Sequence, residues 1–313
     1  MAWYQDLDNQ IKEQLPGLDY RGEEPLAGHI SFRVGGPAKR MAFPQSGEEL
    51  TALLALANEC NARTIVLGNG TNVLFSDEGV DALVISTGKM CDMALRKGNQ
   101  LYAEAGLSLA RVAVFAQQNG LSGLAFAHGI PGSVGGAVCM NAGAYGGEMK
   151  DVLAGAFVLE NGETRFLPVE ALDLRYRHSY LTDHPEAVVL GAVFTLQEGD
   201  KDDIRREMDE LMARRKTSQP LEFPSAGSTF KRPEGYFAGA LIQEAGLKGF
   251  TVGGAQVSEK HAGFVINRGG ATARDVLSLM ALVQQRVQEA TGFLLEPEIR
   301  ILGEDRAPEG EPA

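Results

Sequence analysis

The sequence predicts an α+β protein of two or three domains. Three observations predict it. The chain has 313 residues, enough for more than one hydrophobic core. Helical apolar stripes and short β-branched runs are interspersed along it. Two glycine-rich stretches, Gly68–Asn72 and Gly129–Glu148, interrupt that pattern.

Residues 1–40 are mixed, with an amphipathic helical pattern from Met1 to Leu15 that Pro16-Gly17 ends. Ser46 opens a second helix, with Glu49 three residues on as a capping box and Leu50, Leu53, Leu54 and Ala57 as its stripe. A β-rich run, Thr64 to Leu67, precedes the short glycine turn, and a second strand pattern covers Val80 to Ile85. Ser108 starts a helix that carries Leu109, Val112, Ala113 and Ala116 on one face and stops at Gly120. Beyond the long glycine stretch lies a hairpin, Val152 to Leu159 and Thr164 to Leu167, turned at Asn161-Gly162. Val188 to Leu196 reads as a buried strand and Asp202 to Lys216 as a charged surface helix. Thr217-Ser218-Gln219-Pro220 reads as a linker into a third unit. That unit holds a helix around Phe237 to Ala245 and a long helix from Asp275 to Ala290. Thr272 caps the long helix, Val276, Leu279, Met280, Val283 and Val287 form its stripe, and Gly292 closes it. There is no internal repeat.

The glycine stretches carry the functional signal. Seven of the twenty residues from Gly129 to Glu148 are glycine, separated by small and apolar residues, which is not the composition of a flexible linker. Glycine in a packed setting lets backbone N–H groups approach a ligand, and a diphosphate is the usual one. Two such loops fit one extended dinucleotide held at two places. Each loop also has a plain reading as a tight structural turn. A Rossmann fingerprint fails, because Gly68-Asn69-Gly70 lacks the third glycine and leads into a strand rather than a helix. A phosphate-binding Walker loop fails for want of a Gly-Lys-Ser/Thr triplet. The phosphates are therefore expected on loops alone.

Composition narrows the class. Charged residues are 22% and apolar residues 44%, as in ordinary globular proteins. The net charge of −12 argues against nucleic-acid and acidic-membrane partners, though a local nest of N–H groups can still hold an anion. No secretory signal or membrane-spanning run appears. Cys60, Cys91 and Cys139 are odd in number and widely spaced, so reduced thiols and a cytoplasmic location are expected, and no metal site.

Seven segments in order resemble the UDP-N-acetylmuramate dehydrogenase (UDP-N-acetylenolpyruvoylglucosamine reductase) family, over residues 28–303. They are His29–Pro37, Leu67–Leu74, Gly129–Glu148, Arg175-Tyr-Arg-His-Ser179, Ser225–Pro233, Gly253–His261 and Leu295-Glu-Pro-Glu-Ile-Arg300. The resemblance implies an FAD-binding fold of the vanillyl-alcohol-oxidase type in two subdomains, plus an α/β substrate-binding domain. The first subdomain is expected at 1–87, joined by 295–303, the second at 88–216 and the substrate domain at 217–294, with 304–313 a disordered tail. The short stretch from Gly235 to Gly253 points to the compact, second type of the family, which lacks an inserted substrate-closing segment.

The resemblance also implies the chemistry. FAD, bound non-covalently and reduced by NADPH, delivers hydride to the vinyl carbon of UDP-N-acetylglucosamine enolpyruvate, giving UDP-N-acetylmuramate for peptidoglycan. Ser228 is the expected proton donor. Arg177 is expected to stabilise the charge developing at the substrate carboxylate, and Glu298 to hydrogen-bond that carboxylate. For FAD the expected contacts are Gly68, Asn69, Gly70, Thr71 and Asn72, then Gly132, Ser133, Gly135, Gly136, Asn141, Ala142, Gly143 and Ala144, with Arg33 at the diphosphate or ring. Lys231, Arg232 and His261 match positions near the UDP group. Arg232 and His261 stand where some relatives carry Asn and Gln. Only small-molecule partners are expected, with no obligatory protein partner.

From the residues alone each candidate has a plain alternative: a surface arginine at a strand end, a turn serine beside Gly227, a strand-edge glutamate with Glu296 as decoy. A flavin oxidase of the same fold and a nucleotide-sugar sensor without turnover are the rival functions.

Overall fold

The computed structural model describes residues 2–303; Met1 and the tail expected at 304–313 lie outside them. The chain divides into two compact units. The first comprises Met1–Gly22, Arg40–Asn69 and Ala82–Arg215; the second comprises Glu23–Lys39, Gly70–Asp81 and the chain from Lys216 onward.

The first unit holds two sheets. An antiparallel five-stranded sheet runs in the order Glu163–Pro168, Leu153–Glu160, Val188–Thr195, Gln100–Glu104, Met93–Arg96. The hairpin is the expected one: Glu160 pairs with Glu163 across Asn161 and Gly162, whose φ angles of 52° and 80° suit a right-twisted two-residue turn. Strand Val188–Thr195 is buried almost throughout because it has core on both faces. Val189, Ala192 and Phe194 join a cluster with Val112 and Ala116 of helix Leu109–Gln118 and Val138 of helix Val134–Cys139. Val188 and Leu190 join a second cluster with Leu7, Ile11, Leu50 and Leu53 from helices Trp3–Gln14 and Gly47–Glu59. Those two helices cover a four-stranded sheet ordered Asp19–Pro25, Pro37–Phe43, Val80–Ser86, Thr64–Leu67, the last two parallel.

The second unit pairs a three-stranded antiparallel sheet, Thr251–Val252, Ala255–Val257 and Val265–Asn267, with helices Ala238–Glu244 and Ala273–Thr291. Thr272 caps the long helix, and Asp275 returns the bond to the Thr272 N–H at 3.0 Å. Asp77 adds a second cap, accepting from Ala273 N at 2.7 Å and Arg274 N at 3.1 Å. Strand Arg300–Leu302 lies parallel to Val73–Phe75. No helix among the described residues is long and apolar enough to cross a membrane.

Four differences from the sequence reading have physical causes. Asp19–Pro25, Pro37–Phe43, Met93–Arg96 and Gln100–Glu104 are strands, although their charged residues hide a period-two pattern. Helix Lys201–Ser218 continues through the expected linker as far as Ser218, ahead of Pro220. In helix Gly47–Glu59, Leu56 joins the buried stripe while Leu54 packs against the core only partly buried, and Glu49 accepts from Gln45 N at 2.7 Å rather than from the capping residue. The long glycine stretch is not loop alone, for it contains helix Val134–Cys139, capped by Ser133.

Gly106 tests the close packing between the sheets. Its N–H donates to Met90 O at 3.0 Å, and a methyl at Gly106 would overlap the Thr87 carbonyl oxygen. Gly106→Ala is expected to lower unfolding stability by about 2–3 kcal/mol, read as the denaturant midpoint at unchanged slope.

Candidate functional site

In the first unit the structure brings the long glycine stretch, the start of the short one and the Arg177 turn together. Asn69 Nδ2 donates to Pro131 O at 2.9 Å, and Gly68 lies against Ser133 so closely that a methyl there would overlap Ser133 Oγ. That hydroxyl is already engaged, accepting from Gly136 N at 3.4 Å as the helix cap. Gly135 N donates to Ala105 O at 2.9 Å, which fixes the stretch on the sheet behind it.

Asn141 ties the far end of the stretch to the Arg177 turn. It is buried, with φ 40°, and its amide nitrogen donates to Glu148 at 2.6 Å and Arg175 O at 3.2 Å, while its oxygen accepts from Lys150 N at 3.0 Å. The Asn141 side chain is thus committed within the protein and its N–H donates to Val138 O at 3.2 Å, leaving its carbonyl as what this position can offer a ligand. Ser179 Oγ anchors the same turn to Cys139 O at 2.7 Å. The turn itself is closed by Arg175 and His178, which exchange backbone hydrogen bonds of 3.1 Å in each direction. Arg177 sits at its left-handed position, φ 54°, half-buried, its guanidinium carbon 5.2 Å from the Tyr176 ring centre. A non-glycine residue at positive φ is strained and persists where the surroundings fix it. The neighbouring Arg175 instead pairs with Asp173 at 2.7 Å on the surface.

In the second unit, residues 229–231 and 296–298 pair as antiparallel backbone. Glu298 N donates to Thr229 O and Lys231 N to Glu296 O, both at 2.8 Å, around a bridge between Phe230 and Pro297. This pairing sets Ser228 and Glu298 at the same end of one short ladder. Asn72 joins them: its side chain donates to Glu298 O at 3.2 Å and its carbonyl accepts from Arg300 N at 3.0 Å. Thr229 N donates to Gly263 O at 2.8 Å, which brings in the turn that carries His261. His261 Nδ1 accepts from Gly263 N at 3.1 Å, and burial holds the imidazole below its ordinary pKa. The ring is therefore neutral near pH 7, with Nε2 as the protonated nitrogen. Lys231 pairs with Glu296 at 3.2 Å, so the decoy glutamate has its own partner. Arg232 is exposed, 5.2 Å from the Phe237 ring. Arg33 is exposed at φ 55°.

Three polar residues that the sequence reading passed over hold this arrangement. Buried Thr229 accepts from Val265 N at 2.9 Å, and buried Asn267 donates to Phe32 O at 3.2 Å beside Arg33. Ser31 Oγ donates to Ser225 O at 2.6 Å. Asn267 had one signal, a lone amide ending the apolar run from Phe264.

Each glycine stretch, taken by itself, carries backbone donors that suit a phosphate. Among the described residues, none of the backbone N–H groups from Gly68 to Asn72 donates to a protein acceptor, nor do those of Gly132 and Ser133. Successive unbonded N–H groups make an anion-binding concavity. No cluster of three or more His, Cys, Asp or Glu that could hold a metal occurs among the described residues.

The chain is similar to known proteins over most of its length. Residues 219–302 match the family described as UDP-N-acetylenolpyruvoylglucosamine reductase, C-terminal domain, and residues 38–167 match an FAD binding domain. The chain is 48% identical to the UDP-N-acetylenolpyruvoylglucosamine reductase of Agathobacter rectalis, over 96% of this chain and 99% of that one. It is 49% identical to that of Clostridium perfringens, over 97% of this chain and 100% of the relative. The crystal structure of the reductase from Thermus caldophilus superposes with a TM-score of 0.78 at 38% identity, covering 91% of this chain and 99% of that one.

Gly68 offers the sharpest test of the loop contact. Gly68→Ala is expected to displace Ser133 Oγ, with loss of the helix cap worth about 1 kcal/mol. Purified Gly68→Ala protein is expected to carry much less flavin by visible absorbance. Adding Ser133→Ala is expected to restore part of it, because the methyl would then meet only the Cβ at residue 133, at 3.3 Å.

Proposed function

The chain belongs to the UDP-N-acetylenolpyruvoylglucosamine reductase family, and from that premise we propose how its own residues carry the reaction. The protein is an FAD-dependent oxidoreductase that reduces UDP-N-acetylenolpyruvoylglucosamine in peptidoglycan synthesis, with NADPH as co-substrate. Bound FAD supplies the hydride.

The remaining work falls to the side chains. Ser228 donates the proton that completes the reduction. A serine hydroxyl is a weak acid, so it needs a neighbour that favours proton loss in the transition state. Arg177 supplies a guanidinium fork for the substrate carboxylate, stabilising the charge that develops as hydride arrives. Glu298 hydrogen-bonds the same carboxylate. The observation that carries this assignment is the backbone pairing of residues 229–231 with 296–298, which couples the positions of Ser228 and Glu298. A flavin oxidase of the same fold would have no reason to combine Ser228, Glu298 and Arg177.

The flavin contacts are drawn from Gly68 to Asn72, Gly132, Ser133, Gly135, Gly136 and the backbone of Asn141 to Ala144, with Arg33 at the diphosphate or ring. The unbonded N–H groups of Gly68 to Asn72, Gly132 and Ser133 support their part of this set, whereas the N–H groups of Gly135, Gly136, Asn141 and Ala142 are bonded within the protein. FAD is held without a covalent link. Lys231, Arg232 and neutral His261 face the UDP group, where the Nε2–H of His261 acts as a donor. The proposed domains are 1–87 with 295–303, 88–216 and 217–294. The stretch from Gly235 to Gly253 is taken up by helix Ala238–Glu244 and its flanking turns, in keeping with the compact type of the family.

Half-reactions separate these roles. Ser228→Ala is expected to leave NADPH bleaching of the flavin nearly intact while slowing reoxidation by the enolpyruvyl substrate by several orders of magnitude. Equal loss in both halves removes Ser228 as proton donor. Arg177→Lys is expected to slow the second half-reaction as well, because a point charge does not reproduce a bidentate fork. Near-normal single-turnover reoxidation of that variant excludes Arg177 from the site.

A further inference from the structure

Helix Lys201–Ser218 carries its charges in two distinct ways. On its solvent face Arg205 pairs with Asp209 at 2.9 Å and Arg214 with Glu210 at 2.6 Å, and Arg206 pairs with Asp203. Arg215 points the other way. Its Cδ lies 3.1 Å, and its Nη1 3.8 Å, from where a Cβ on Gly129 would stand, beside Met212 Cε at 3.8 Å from the same point. Among the described residues the Arg215 guanidinium makes no hydrogen bond or ion pair. Its surroundings keep water away, which pushes its pKa down, and the phenol of Tyr145 on the long glycine stretch opposes that shift.

A guanidinium withdrawn from water without an anion is unfavourable, and removing one partner of such a pair is strongly so. A half-buried arginine with no acceptor therefore marks the place of an anion that comes from outside the protein. The element it touches narrows the chemistry. Gly129 begins the stretch whose Gly132 and Ser133 N–H groups also lack a protein acceptor among the described residues. A planar fork beside unbonded backbone N–H groups matches phosphate oxygens.

We propose that Arg215 is a further ligand-binding residue, holding a phosphate group of a bound dinucleotide at the start of the Gly129–Glu148 stretch. The proposal rests on the family reading, which supplies two such dinucleotides, FAD and NADPH. The structural alternative is an arginine stem that merely packs on Gly129 and Met212.

The test uses full-length wild type, Arg215→Gln and Arg215→Lys, each stripped of flavin. Each is titrated with FAD and with riboflavin, which has the ring and ribityl chain but no phosphate, by flavin fluorescence. Arg215→Gln is expected to weaken FAD binding about ten- to a hundredfold, the size of a lost hydrogen bond to a charged group, and to leave riboflavin binding unchanged. Arg215→Lys is expected to recover part of the FAD affinity. Flavin-loaded proteins are titrated with NADP⁺ in parallel. A loss confined to NADP⁺ assigns the phosphate to the nicotinamide dinucleotide instead of the flavin. Unchanged affinity for both FAD and NADP⁺ overturns the proposal, as does an equal loss for FAD and riboflavin, the mark of a packing role. Should Arg215→Gln not fold, as judged by circular dichroism, Arg215→Lys decides: a weaker FAD complex with normal riboflavin binding supports the proposal, and normal FAD and NADP⁺ binding overturns it. Wild-type protein that takes up no flavin would defeat the family reading itself, an outcome distinct from variants that bind as well as wild type.

Discussion

A backbone N–H group needs an acceptor, and among the described residues those from Gly68 to Asn72 have none within the protein. The rest of the arrangement follows from that constraint. The long stretch comes close to the start of the short one, and Gly68 permits it by presenting no side chain to Ser133. Ser133 then serves as a helix cap, and the glycine at residue 135 bonds to Ala105, so the loop is anchored to the sheet rather than mobile over it. Gly68, Gly143 and Gly147 serve close approach, because a side chain at any of them would overlap a neighbouring residue.

The second unit holds Ser228 and Glu298 in fixed relation. It does so with backbone, since ladder hydrogen bonds hold position better than long side chains do. Thr229, Phe230 and Lys231 pair with Glu296, Pro297 and Glu298, and Asn72 ties the ladder to the short glycine turn. Asn141 and Ser179 do comparable work in the first unit, where they hold the turn that forces Arg177 to positive φ. The strain at Arg177 persists because the closed Arg175–His178 turn and its two anchors over-determine it.

Much of the fold was legible from periodicity. The stripes beginning at Leu109 and Val276, the strand Thr64–Leu67 and the Asn161-Gly162 hairpin all lie where their patterns indicate, because each has a strong local cause: a capping hydroxyl, a turn glycine, an apolar face. The strands Asp19–Pro25 and Pro37–Phe43 were not legible, since Arg, Lys and Glu interrupt their alternation and tertiary pairing overrides local preference. Helix Val134–Cys139 was hidden by its two glycines, which argue locally for a loop.

The sequence by itself determined the family, the flavin chemistry and the candidate side chains, because these depend on which residue types occur in which order. Tertiary structure alone decided that Asn141 is bound up within the protein, that Glu296 pairs with Lys231 while Glu298 sits on the Ser228 ladder, and that Arg215 faces inward while its neighbour Arg214 pairs at the surface. The reason is physical. Partner identity depends on distance and burial, and neighbouring residues of the same type look alike until a helix or a ladder turns them in different directions.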